Sequence, residues 1–258
     1  MTARTASAAS ERESLELRTA DGIALGGTIW STADAQGAVV LVHGFTGGQD
    51  DPALSAVRVA LGAAGYDVIT FDQRGHRQSE GLCTLGDTER LDVAAAIAAA
   101  QRRHRSVVVV GASMGAIAAL RATADDLSGI AGVVTVSCPS RWRLHGLASA
   151  LAAVMTRTGL GRRVLAARAG VRVAPRWTKP PEPRSVAARL AVPLAVVHGR
   201  ADRFIPSREA EELHRFAGGP CRLDLVAAMG HGFDPRGTET VVAAVEWVFG
   251  LGGGAAPA

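Results

Sequence analysis

Lysine is nearly missing from this chain of 258 residues, whose 28 basic residues include one lysine, Lys179. The positive charge is therefore guanidinium, always ionised and shaped for paired acceptors. Cysteine is scarce too. Cys83, Cys138 and Cys221 lie far apart without a C-x-x-C pair, which excludes a disulfide framework and a thiolate zinc site and leaves reduced core residues. Long apolar runs are absent: Leu91–Ala100 sits between charges and falls short of the ~18 residues of a membrane span. The first twelve residues are small, polar and charged, without the apolar stretch of a signal peptide, so a cytoplasmic location is expected. No stable membrane insertion is expected either.

What is present is a large apolar fraction, 48%, enough for the core of one large α/β domain or two small ones. The net charge of +4 conceals an asymmetry. Between Arg141 and Arg189 eleven cations face one acid, Glu182, a net +10, so the remainder carries −6. Such a block points to a partner or an anionic substrate, or else to a solvated arginine-rich face. Nucleic acid is disfavoured, because no binding module accompanies the block and its aromatics are only Trp142 and Trp177.

Apolar β-rich runs at Ala38–Val42, Val68–Phe71, Val107–Val110, Val133–Val136, Leu194–Val197 and Leu223–Val226 alternate with alanine-rich helical stretches. That pattern predicts a mostly parallel sheet covered by helices on both faces. Leu15–Arg18 and Ile23–Trp30, split by a turn at Ala20-Asp21-Gly22, predict an antiparallel hairpin at its edge. Helices are expected near Pro52–Ala64, Thr88–Arg102, Met114–Thr123, Ser207–Phe216 and Thr238–Phe249. The alternation lapses over residues 139–191, where Leu147–Thr156 and Arg163–Ala169 read as helices and four prolines break the rest. This is an insertion into a core of residues 14–138 and 192–249, with disordered ends expected at 1–13 and 250–258.

The strand Val107–Val110 runs into G-A-S-M-G, Gly111–Gly115, and then an apolar helix. A G-x-S-x-G at a strand-to-helix turn is a nucleophile elbow: small neighbours permit a strained backbone that lifts the hydroxyl of Ser113 off the sheet. A serine needs a base and a group to orient that base. His231, in M-G-H-G-F between the last strand and last helix, is the candidate base. Asp202, in H-G-R-A-D-R-F-I-P directly after Leu194–Val197, is the candidate acid, with a helix cap as its plainer reading. The chain order Ser113, Asp202, His231 is that of an α/β-hydrolase.

With these residues in place the chain resembles a serine hydrolase of the α/β-hydrolase fold, in its lysophospholipase and monoacylglycerol lipase-like esterase branch. L-V-H-G-F-T-G-G (Leu41–Gly48) resembles that family's oxyanion loop, and F-D-Q-R-G-H-R-Q-S-E-G (Phe71–Gly81) its D-x-R-G-H-G-x-S signature, with Arg77 where glycine is usual. The resemblance implies an eight-stranded, mostly parallel sheet. It also implies that residues 139–191 form a small, mainly helical cap resembling a lid. The backbone N–H groups of Phe45 and Met114 would form the oxyanion hole, and Phe45 and Trp142 would line the substrate pocket. His43 and His76 are read as structural, while His198, His104, His145 and His214 gain no partner from the sequence.

The expected activity is hydrolysis of a small-molecule carboxylic ester, of small to medium acyl chain or monoacylglycerol- or lysophospholipid-like, through an acyl-serine. Acyl thioesterase or acyltransferase chemistry would use the same triad, and a non-catalytic binding protein of this fold is the rival from another class. No metal or organic cofactor is implied, because no ligand cluster is visible. Serine at position 113 disfavours dehalogenase and epoxide hydrolase chemistry, which use aspartate there.

Overall fold

The computed structural model describes residues 11–252. Its strands are β1 (Glu11–Arg18), β2 (Ala24–Ser31), β3 (Ala38–Val42), β4 (Asp67–Phe71), β5 (Val107–Ala112), β6 (Ile130–Val136), β7 (Leu194–Gly199) and β8 (Cys221–Val226). They form one sheet in the order β1-β2-β4-β3-β5-β6-β7-β8. β1 and β2 form the expected antiparallel hairpin, β2 pairs antiparallel with β4, and every later pair is parallel.

The strands are apolar throughout because both faces are covered. In β3, Val40 and Val42 pack into one core and Val39 and Leu41 into the other; Val107 and Val109 of β5 divide from Val108 and Val110 in the same way. The first core is closed by α2 (Glu89–Gln101), α3 (Met114–Asp125), α6 (Pro183–Ala187) and α7 (Arg208–Phe216). The second is closed by α1 (Pro52–Ala63) and α8 (Thr238–Gly252).

Between β6 and β7 lie α4 (Gly146–Arg157), α5 (Gly159–Ala169) and α6. α5 begins earlier than the expected Arg163, because the Thr158 hydroxyl caps it by accepting the Gly161 N–H at 3.1 Å and offsets the low helix propensity of two glycines. The short α6 was not expected among the prolines, yet Pro183 suits a first helical turn. α6 buries Val186 and Ala187 in the main core, so its residues belong with the body although they fall inside the expected 139–191 insertion. α4 turns Leu147, Leu151 and Val154 to solvent, Leu147 being 90% exposed.

Both expected ends are shifted. β1 already runs from Glu11, inside the segment expected to be disordered, and α8 continues through Gly250 to Gly252. Residues 1–10 and 253–258 of those expected ends lie outside the described residues.

Candidate functional site

Four parallel strands end at one edge, and a candidate group follows each: Phe45 after β3, Ser113 after β5, Asp202 after β7 and His231 after β8. In open α/β sheets the carboxyl ends of the strands are where ligands bind. Ser113 stands at φ 51° and ψ −112°, a region non-glycine residues rarely adopt and one that turns the chain sharply from strand to helix. The two glycines of the motif make room. A Cβ on Gly111 would lie 2.4 Å from the Gly115 carbonyl oxygen, and one on Gly115 would lie 2.4 Å from that of His43.

The Ser113 Oγ is 3.0 Å from His231 Nε2, and His231 Nδ1 is 2.8 Å from Asp202 Oδ2. An ionised carboxylate only accepts, so Nδ1 carries the proton and Nε2 is left to accept the Ser113 O–H. The other oxygen of Asp202 accepts the N–H groups of Phe204 and Ile205 at 2.8 and 2.9 Å. Asp202 is not a helix cap, since α7 begins at Arg208 behind Ser207 and the two amides it accepts lie in the loop, where they aim the carboxylate at His231. Burial works against the charged Asp202, but its bond to His231 and the two amides prevail and hold its pKa below the ordinary value. The Asp202 side chain is fully buried, whereas that of His231 remains 25% exposed and stands beside the Phe204 ring.

The loop bearing His231 is pinned on both sides. Gly230 N–H donates to Asp234 Oδ2 at 2.9 Å and Gly232 N–H to the Ser137 Oγ at 3.0 Å. Neither Ser137 nor Asp234 was foreseen; an aspartate three residues beyond the histidine was the available signal. His198, also without an expected partner, is buried against the same group, 3.6 Å from Asp202 Oδ2 and 2.8 Å from the Ile205 carbonyl. His104 likewise gains Asp67 at 2.8 Å and His145 approaches Glu209 at 3.4 Å.

The N–H of Phe45 donates to no acceptor among the described residues, and that of Met114 opens α3, where no intrahelical partner exists. Beneath the Phe45 loop, the Gln73 N–H donates to His43 Nε2 at 3.0 Å, so the proton sits on Nδ1 and goes to the Gly44 carbonyl at 2.8 Å. That carbonyl and the Phe45 N–H belong to one trans peptide and point in opposite directions. His43 therefore fixes and polarises the Phe45 donor from behind. Burial holds the pKa of His43 down to about 4 and that of its edge-on neighbour His76 to about 3.

Arg77 has φ 47°, a left-handed turn that explains why glycine suits the position. Its N–H donates to the Gly170 carbonyl at 3.0 Å and its guanidinium to that of Ala169 at 3.1 Å, while Asp51 lies 3.5 Å away. The departure from the signature thus links the oxyanion-loop side of the body to the end of α5.

A cavity of about 1290 Å³ opens over Ser113 and His231. Phe45 and Trp142 line it, and the Trp142 indole is fixed by donating to the Pro180 carbonyl at 2.8 Å. Leu54, Ile117, Leu165 and Trp177 add apolar wall that no motif signalled. Among the described residues no group of three or more His, Cys, Asp or Glu could hold a metal, and no helix is long and apolar enough to cross a membrane.

A family model described as serine aminopeptidase, S33, matches residues 33–179. No curated protein sequence matches the chain. Among solved structures it is similar to the Pyrococcus furiosus esterase Pf2001, with 22% identity, 95% of this chain and 92% of that one covered, and a TM-score of 0.74. The esterase EaEST from Exiguobacterium antarcticum shares 18% identity over 92% of this chain and all of its own, with a TM-score of 0.70. RhEst1, an esterase from a Rhodococcus species, shares 18% over 92% and 99%, with a TM-score of 0.69.

Proposed function

The chain belongs to the serine aminopeptidase (S33) family and has the α/β-hydrolase fold, and we propose that it hydrolyses carboxylic esters through an acyl-serine at Ser113. The observation that carries this reading is the unbroken run of hydrogen bonds from Ser113 Oγ through His231 to Asp202. Ser113 Oγ attacks the ester carbonyl while His231 Nε2 takes its proton; Asp202 holds the imidazole and stabilises its cation. The Phe45 and Met114 N–H groups bind the oxyanion. His231 then protonates the leaving alkoxide, and water, activated by the same imidazole, releases the acid.

The family description raises peptides with a free N-terminus as a second substrate class. The cavity argues against them. A free α-ammonium needs a carboxylate, and among the described residues the one carboxylate lining the cavity, Asp51, already accepts the Gly48 N–H at 2.9 Å and faces Arg77. The walls are otherwise apolar, cationic or neutral and polar, the last including Thr46, Ser149 and Thr156. Esters of apolar acyl groups fit this lining, in keeping with the structural neighbours, which are esterases.

The test is a panel of p-nitrophenyl esters from two to sixteen carbons alongside leucine p-nitroanilide. Turnover of the esters that vanishes in Ser113→Ala is the expected result. Turnover of the anilide above that of every ester would overturn the ester assignment.

A further inference from the structure

The eleven cations between Arg141 and Arg189 divide by place. Arg141 bonds to Glu212, and Arg184 to Glu182 and Glu212. Arg172 donates to the Arg77 and Ser79 carbonyls, and Arg162 to that of Arg157. Arg163, Arg168 and Arg189 lie away from the cavity. The remaining four, Arg143, Arg157, Arg176 and Lys179, line it beside the Glu212-bound Arg141. All four are exposed, and among the described residues their side chains have no ion pair or hydrogen bond. Arg163, Arg168 and Arg189 are likewise unpaired among the described residues, yet four of the block's seven unpaired cations share this one opening and concentrate positive charge there. Asp51 is already bonded and no other acid among the described residues lines the cavity, and cations in one cleft sum to a field that attracts anions.

The place of the charge indicates which part of a substrate meets it. The buried end of the cavity is apolar, with Leu54, Ile117 and Leu165, and suits an acyl chain. The cations stand at the exposed mouth, where a leaving group departs. The volume, about 1290 Å³, exceeds the ~300–1,000 Å³ usual for small-molecule sites, so it accommodates a sizeable leaving group as well as an acyl chain. Guanidinium forks match phosphate oxygens.

Resting on the serine hydrolase reading above, we propose that the preferred substrate is an acyl ester or thioester whose leaving group carries phosphate, held by Arg143, Arg157, Arg176 and Lys179. For a thioester, Ser113 Oγ adds to the carbonyl, the C–S bond breaks, and the sulfur takes the proton held on His231 Nε2. Water then cleaves the acyl-serine, so thioester and water yield carboxylic acid and thiol.

The probes are octanoyl-coenzyme A and its neutral counterpart octanoyl-N-acetylcysteamine, which share the reacting group and differ in phosphate. The quantity read is the ratio of their kcat/KM in one enzyme, which cancels any loss of folded protein. At low salt the ratio is expected at about 10–10³ and to fall toward unity in 0.5 M NaCl. Arg143→Gln/Arg157→Gln/Arg176→Gln/Lys179→Gln should abolish it. Arg163→Gln/Arg168→Gln/Arg189→Gln, which removes three charges elsewhere, should leave it intact. A ratio near one in the native protein, or equal losses in both variants, would overturn the assignment. If p-nitrophenyl octanoate is cleaved while neither thioester is, the substrate class fails and the hydrolase reading stands; p-nitrophenyl octanoate turnover surviving in Ser113→Ala defeats the hydrolase reading itself.

Discussion

The strand ends and the helices inserted between β6 and β7 treat polar groups in opposite ways. At the strand ends the acid, the base and the Phe45 peptide are each held by a neighbour: two amides fix Asp202, Asp202 fixes His231, and His43 fixes the peptide of Phe45. Over them, in and beside α4 and α5, cations stand unpaired and leucines face solvent. Rigid, satisfied groups suit chemistry that needs sub-ångström placement. Exposed, unsatisfied ones suit recognition, because their partner is outside the molecule.

The largest expected effects break the strand-end side. Ser113→Ala or His231→Ala should lower kcat by about 10⁴ to 10⁶, and Asp202→Asn by about 10⁴, with the melting temperature little changed. Steady-state hydrolysis of a p-nitrophenyl ester reads this, and a tenfold loss or less would show that the three residues do not act as a unit.

Two glycines sharpen the comparison through stability. A Cβ at Gly115 meets backbone oxygens of His43 and Val42 at 2.4 and 2.6 Å, whereas at Gly159 it meets nothing within 4 Å. Gly115→Ala should therefore lose about 3 kcal/mol in urea unfolding, while Gly159→Ala should be neutral or gain up to about 1 kcal/mol. Equal losses would mean that α5 is packed as tightly as the elbow.

Acid should loosen the strand-end side first. His43 and His76 are held neutral by burial, with pKa values of about 4 and about 3, against ~6.5 in an unfolded chain. The unfolded state thus binds protons first as pH falls. Stability is complete above about pH 6.5 and declines toward pH 4, by at most about 1.4 kcal/mol per unit for each histidine. Unfolding free energies that stay flat from pH 7 to 5 would contradict this. The smallest effect is expected at the junction of the two regions. Arg77→Gly relieves a φ of 47° but removes a half-exposed ion pair and a carbonyl contact, so its change in stability should stay within about 1 kcal/mol. A loss above 2 kcal/mol would make Arg77 a strut.

The two regions also differed in how well their sequence announced them. β3 and the start of α3 fall where apolar runs and the elbow placed them, because two-sided burial demands continuous Val, Ile and Leu. Ser113, Asp202 and His231 were readable because a strained turn, a strand end and a glycine-flanked loop each leave a local trace. Ser137 left none, since Gly232, which it holds, is distant in sequence; Asp234 left only its spacing from His231, and His198, four residues from Asp202, belongs to no motif. Nor does composition separate Arg143 from Arg163: both are arginines in one basic block, and only the packing of α4 and α5 over the strand ends sorts cavity-lining charge from the rest.

The most direct test is covalent. A fluorophosphonate probe followed by peptide mass mapping should place one adduct on Ser113, formed slowly or not at all in His231→Ala. Native protein that folds but takes no label, or takes it on another serine, would contradict the assignment of Ser113 as a nucleophile served by His231 and Asp202.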